Sequence, residues 1–505
     1  MPIFIGIGKD YTMRLGFDNR KYLTMQSNCI RERINQFGGK LYLELGGKHF
    51  DDYHASRVLP GFEPDSKIRM LCQLKDELEI IIAINAGDIE KNKKRGDLGI
   101  TYDDEVLRLT DAFRALGFMV GSVCITRYTG QPGVDAFIRR LNSLGIKSYR
   151  HYNIEGYPYN VKKIVSEDGF GKNEYIETTR PLVLVTAPGP GSGKMAICLS
   201  QLYHDNKHGI KAGYAKFETF PVWNLPLRHP VNVAYEAATA DLDDKNLLDH
   251  FHLEAYGIAA VNYNRDMETF PVLKAMMERI LGSSPYQSPT DMGVNVVGHC
   301  IIDQDVVREA SHLEILRRYY QAQVAIRQGE AAETQMDTLE RLMQETGITD
   351  ALCPAIDAAL KKAADTGAPA AAMVLPDGRV VTGKTSDLLG PSAALLLNAL
   401  KALANVDKEY DLISPQTLEP ICRLKTENLK NRNPRLHSDE VLIALSISSA
   451  TDPIAARALA ELNNLRSCDA HFSVILSSVD EKIYKKLGIN VTCQPKYQVR
   501  KLYHG

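Results

Sequence analysis

Two stretches of this chain set glycines beside a lysine with spacings that suit phosphate chemistry. In a G-x-x-x-x-G-K-[ST] loop between a buried strand and a helix, backbone N–H groups wrap phosphate oxygens. The lysine neutralises charge and the hydroxyl holds Mg²⁺. Gly378, Gly383, Lys384 and Thr385 match that pattern letter for letter. Their surroundings do not fit it. Gly378 closes a Pro376-Asp377-Gly378 turn, and the residues before Gly383 read as a strand, which cannot curl around a phosphate. Lys384, Thr385 and Ser386 keep a lesser role near the helix start at Gly390-Pro391-Ser392, where an anion is favoured.

The second stretch breaks the pattern but has the right neighbours. Val183–Thr186 reads as a buried strand, Pro188-Gly189-Pro190-Gly191-Ser192-Gly193-Lys194 as a turn, and Met195–His204 as a helix. Pro188 replaces the first glycine, and Met195 replaces the magnesium-binding hydroxyl. Gly189, Gly191 and Gly193 still allow close backbone approach, and Lys194 stands at a helix N-terminus. The plain alternative is a tight strand–helix connection with an exposed lysine.

Gly46-Gly47-Lys48 also follows a strand, and Arg95-Gly96-Asp97 comes after the next one. In a parallel sheet these loops leave from one edge. The expected site therefore gathers Gly189, Gly191, Ser192, Gly193, Lys194, Lys48 and Arg95 around a phosphorylated ligand. Asp97, His229 and Asp291 are the expected groups for proton transfer or metal binding. The implied cofactor is ATP or another nucleotide with Mg²⁺, and the metal itself is left unassigned. Glu218, Asn224, Arg228 and Asp241 lie among apolar residues in a Pro/Asn-rich stretch, a pattern expected of pocket walls.

Other chemistries lack their residues. A zinc protease needs His-Glu-x-x-His, which is absent; His204 with His208, and His250, His252 and Glu254, carry no general base in register. No G-x-S-x-G elbow occurs. The 9 cysteines include no C-x-x-C and sit in apolar segments, as buried reduced thiols do. The 60 Lys plus Arg against 62 Asp plus Glu give a net charge of −2, with no basic patch for nucleic acid or membrane. No apolar run reaches the ~18 residues of a membrane helix, and the N-terminus does not read as a signal peptide. A cytoplasmic protein is expected, with Met1–Thr12 a separate leader and Met13 an alternative start.

The elements that must position these residues alternate along the first 210 positions. Apolar strands at 41–45, 78–84, 118–126 and 181–186, with a weaker one at 147–152, are separated by helical patterns at 17–37, 66–77, 103–116 and 133–144. That order predicts a parallel sheet covered on both faces. The segment 210–300 reads as irregular and cleft-lining. An α/β, multi-domain chain follows: residues 1–302 form a three-layer domain carrying the P-loop-like turn, 303–366 a small helical domain, and 367–505 a separate C-terminal α/β domain.

Taken together, several segments resemble a bacterial family of uncharacterised proteins, catalogued as domain of unknown function eighteen forty-six. They include GGKLYLELGGKHFDDYHASRVLPGFEPD, TAPGPGSGKMA, ETFPVWNLPLRHPVNVAYEAATADLDD, VNYNRDMETFPVL, SPTDMGVN and NPRLHSDE, and they span nearly the whole chain from about Phe17. The resemblance implies a multi-domain α/β protein with a helical insert and supplies no activity. Some relatives carry the label ATP-dependent zinc protease, for which this chain lacks the motif. The expected function is an enzyme acting on a nucleotide or other phosphorylated metabolite. The alternative is a non-catalytic phosphate-ligand sensor or an oligomeric scaffold; a homo-oligomer suits either.

Overall fold

The computed structural model describes residues 14–95 and 99–498, which fall into two compact units. Asp97 and the leader Met1–Thr12, with Met13, lie outside the described residues. The first unit comprises Leu15–Glu236 and Asp243–Ala310. Its strands are β1 (Leu41–Leu45), β2 (Leu78–Asn85), β3 (Met119–Tyr128), β4 (Lys147–Tyr152), β5 (Leu182–Thr186), β6 (Gly213–Phe217), β7 (Asn246–Leu248), β8 (Val261–Tyr263) and β9 (Gly293–Val294).

Seven of them form one sheet in the order β4-β3-β2-β5-β1-β6-β9, and every pairing in it is parallel. Tyr42, Ile81, Val183 and Val185 pack against apolar side chains of the helices Lys194–Lys207 and Asn264–Leu281. Their neighbours Leu41, Leu43, Ile82 and Leu184, which point to the other face, are buried as completely. Burial on both faces explains why these strands read as unbroken apolar runs and makes the unit three-layered.

Strand β5 enters between β1 and β2, late in the chain. From β2 the chain steps outward to β3 and β4, whereas from β5 it crosses β1 to reach β6. Where successive crossovers part in opposite directions, a crevice opens at the carboxyl edge of the sheet. The glycine-rich turn after β5 stands at that point.

The segment 210–300 is more regular than its composition suggests. It holds β6 to β9 and the 18-residue helix Asn264–Leu281. Pro271 inside that helix hides it from periodicity, because proline normally ends a helix. Strands of two or three residues are too short to show alternation.

The second unit takes Arg14, Ala237–Leu242 and the described chain from Ser311 onward. It includes the helices Glu333–Thr346 and Pro354–Thr366 and a four-stranded sheet. Its strands are β10 (Ala370–Val374), β11 (Val380–Lys384), β12 (Asp469–Phe472) and β13 (Asn490–Cys493), in the order β11-β10-β12-β13. The β10–β11 and β10–β12 pairs are antiparallel and β12–β13 is parallel. The literal Gly-Lys-Thr match therefore lies on a ladder strand, with Lys384 paired to Ala370. The helix Ser438–Ser448 is capped by His437, whose N–H donates to Glu440 Oε2 at 2.7 Å, rather than by Ser438. Among the described residues all 9 cysteines are free thiols, and no helix is long and apolar enough to cross a membrane.

Candidate functional site

Three glycines shape the turn after β5. Gly191 and Gly193 take φ of 72° and 85°, left-handed values that side chains other than hydrogen resist. A Cβ on Gly189 would lie 2.5 Å from Tyr102 Oη. The turn's carbonyls are pulled inward: Thr126 Oγ1 donates to Ser192 O at 2.8 Å, and Asn85 Nδ2 to Gly191 O at 3.4 Å. Ser192 spends its own hydroxyl on Gly189 O at 2.8 Å, so it braces the loop. With the carbonyls held by β2 and β3, the N–H groups of Gly191, Gly193, Lys194 and Met195 have no acceptor among the described residues. Exposed amides at a helix N-terminus favour an anion.

These residues line a cavity of about 230 Å³. Lys194 opens the helix, with only 13% of its side chain exposed and Nζ 3.9 Å from Glu44 Oε1. Glu44 Oε2 accepts a bond from Tyr214 Oη at 2.9 Å. Arg127, also on the wall, has φ of 53° where the β3–β4 register slips. Among the described residues no carboxylate pairs with it. Tyr157, Ile154 and Phe170 supply an apolar side, and His151 closes the floor. Burial holds the His151 pKa down at about 3, so the ring is neutral at pH 7. Its Nε2 lies 3.2 Å from Glu174 O, which assigns the proton to that nitrogen.

The predicted partners are placed as follows. Lys48 is exposed on the loop after β1. Arg95 is paired with buried Glu105 at 2.5 Å, and Glu105 also binds Arg108 at 2.6 Å. Next to Lys48 on the loop after β1 is buried His49, 2.6 Å from Thr186 Oγ1. Its pKa is held at about 3 by burial first and then by the charges of Lys67, Lys194 and Arg95, so those cations share one neighbourhood. His229 bonds Gln304 Oε1 at 3.0 Å and accepts from Val231 N–H at 3.3 Å, a local role at a helix start. Asp291 closes a capping box with Ser288 and accepts from Tyr256 Oη at 2.8 Å. His252 bonds Ser288 at 2.9 Å, and no group of three His, Cys, Asp or Glu side chains that could hold a metal occurs among the described residues. Thr385 Oγ1 donates to Pro369 O at 2.9 Å, which occupies a hydroxyl of the literal match.

Sequence reasoning did not find Glu44, Arg127, His151, Lys216 or Asp266. Glu44 left one signal, a single acid inside the apolar strand Leu41–Leu45. The register slip that exposes Arg127 leaves no trace in residue types.

Two family models cover the chain. "Domain of unknown function DUF1846, N-terminal" matches residues 15–347, and "Domain of unknown function DUF1846, C-terminal" matches residues 352–503. A UPF0371 protein of Streptococcus thermophilus (strain CNRZ 1066) is 58% identical over 487 residues, covering 96% of this chain and 99% of that protein. One from Streptococcus pneumoniae (strain JJA) is 57% identical with the same coverage. A third, from Corynebacterium efficiens, is 59% identical over 492 residues, 97% of this chain and 99% of its own length.

Proposed function

Because this chain belongs to the DUF1846 family, whose description assigns no activity, we propose a function from the geometry of the β5 turn: it binds a phosphorylated small molecule. The observation that carries this reading is the set of unbonded amides at Gly191, Gly193, Lys194 and Met195, facing a cavity with two cations on its wall. Phosphate oxygens satisfy those amides, and the helix N-terminus and Lys194 favour their charge. Arg127, without a carboxylate partner, takes a second anionic oxygen. The apolar side formed by Tyr157, Ile154 and Phe170 suits a flat organic group attached to the phosphate, as in a nucleotide.

The reading extends to a cytoplasmic enzyme that acts on this ligand. Lys194 and Arg127 would stabilise charge developing on a transferred phosphoryl group. A non-catalytic sensor is the second reading. Met195 in place of a magnesium-binding hydroxyl favours it. Calorimetric titration of the full chain with ATP, GTP, pyrophosphate and inorganic phosphate tests the binding. Saturable binding of at least one probe is expected, and no heat with any of them rejects the site. Product formation from a bound nucleotide then separates enzyme from sensor.

A further inference from the structure

The carboxyl end of β6 carries a second group of polar side chains that the β5 turn does not use. Lys216 Nζ donates to both carboxylate oxygens of Asp266 at 2.6 Å, and it lies 2.5 Å from Glu218 Oε1. Tyr263 Oη donates to the same Glu218 oxygen at 3.1 Å. Asp266 already neutralises Lys216, so Glu218 is a surplus carboxylate, which an ion pair built for stability does not require. Its Oε1 is saturated by Lys216 and Tyr263, while Oε2 has no partner among the described residues. Glu218 also lines a separate pocket of about 20 Å³, walled by Asn262, Asn295, Thr290 and Trp223. That volume admits a water-sized polar group.

We propose that this pocket is a second binding site, for the hydroxyl or amine of a small polar molecule, and that Glu218 Oε2 accepts the proton of that group. In the step, the O–H bond of a bound hydroxyl, or one N–H bond of a bound amine in its ammonium form, breaks and an H–Oε2 bond forms. The electron pair stays on the oxygen or nitrogen, which becomes a nucleophile. Lys216 and Tyr263 both engage Oε1, which leaves Oε2 as the oxygen free to take the proton.

The surroundings adjust the carboxylate to that task. Burial and the charge of Asp266 raise Glu218, Lys216 opposes them, and the balance stands at about 7. Asp244 lies beyond with Arg265 at 2.6 Å, Tyr235 faces the cluster from the helix beginning at Pro230, and Glu44 faces Lys216 from β1 in direct register. Glu44 is also the carboxylate beside Lys194. The nucleophile therefore arises two strands from the phosphate turn, on the same sheet edge. Its attack on a phosphoryl group rests on the reading of that turn; the pocket and its proton acceptor do not.

Crystals of the full chain soaked at pH 7.5 in ethylene glycol, and separately in ethanolamine, test the site. The expected result is a probe oxygen or nitrogen within hydrogen-bond distance of Glu218 Oε2, absent or displaced in Glu218→Gln. Infrared spectra across pH 5–9 should show a carboxyl band that fades near neutrality in the wild type and is missing from the variant. An empty or water-filled pocket in both soaks overturns the proposal, as does a probe held equally by the variant, or a carboxylate ionised throughout. Loss of nucleotide binding by the β5 turn with the pocket result intact rejects the phosphate reading alone.

Discussion

The two glycine–lysine segments put the same residue types to opposite uses. At Gly378–Thr385 the motif letters are complete, yet the backbone is a hairpin strand whose N–H groups belong to a ladder with Ala370–Val374. At Pro188–Met195 two letters are wrong, yet the backbone turns through left-handed Gly191 and Gly193 and leaves its amides without acceptors among the described residues. Phosphate recognition depends on where the amides point, and that is decided by neighbouring strands more than by the motif. Thr126 and Asn85, far away in sequence, hold the carbonyls back.

Substituting the two lysines in parallel should break or sharpen this contrast most strongly. Lys194→Ala should weaken binding of the tightest phosphate probe by about 10- to 100-fold, the value of a charge-assisted contact of roughly 1.5–3 kcal/mol. Lys384→Ala should leave it unchanged in the same calorimetric titration. Equal losses would erase the distinction between the segments.

Acid should act next, and with different signs in the two units. His49 and His151 have folded pKa values of about 3, below the unfolded ~6.5, so between those limits the unfolded chain binds more protons. Their contribution is complete above pH ~6.5 and is lost as pH falls toward 3, roughly 2 kcal/mol each at pH 5. His437 in the second unit is raised by its hydrogen bond to Asp480 at 2.9 Å. Its stabilisation is present below the unfolded value and lost as pH rises through the folded one. Urea midpoints at pH 7 and 5 should fall less for His151→Asn than for the wild type.

Glycine substitutions give the third comparison. Gly193→Ala and Gly378→Ala each force alanine into a left-handed φ, 85° and 82°, at about 1–2 kcal/mol in thermal stability. Only Gly193→Ala should also reduce probe binding, because its Cβ would meet Thr126 at 3.0 Å. The smallest effect belongs to Thr126→Val, which removes one bond to Ser192 O. It should cost about 0.5–1.5 kcal/mol and loosen binding severalfold, without touching the hairpin.

The parallel sheet was legible because its central strands β2 and β5 are nearly continuous apolar runs and its helices keep a clean period, as Tyr102–Ala115 and Pro132–Ser143 do. The turn was legible from its glycines and the helix behind it. What escaped was set by register and by long-range contact. Asn264–Leu281 is interrupted by Pro271, and Arg127 reaches the cavity through a slip in pairing. Glu44 faces Lys216 only because β1 and β6 are neighbours, 170 positions apart at Tyr214 and Glu44. Asp291 and His229 looked chemical in sequence, yet their hydrogen bonds fasten helix starts.

The late entry of β5 between β1 and β2 has a consequence for synthesis. Until Leu182–Thr186 leaves the ribosome, β1 and β2 each show the hydrogen-bonding edge that β5 later fills, and β1 has no neighbour in the sheet, because β6 and β9 follow β5 in the chain. Insertion of β5 then joins β1 to the β2-β3-β4 group and brings the Gly191–Lys194 amides to the sheet edge in the same event. A nascent chain stalled before residue 182 is consequently the form most prone to stick to its own copies.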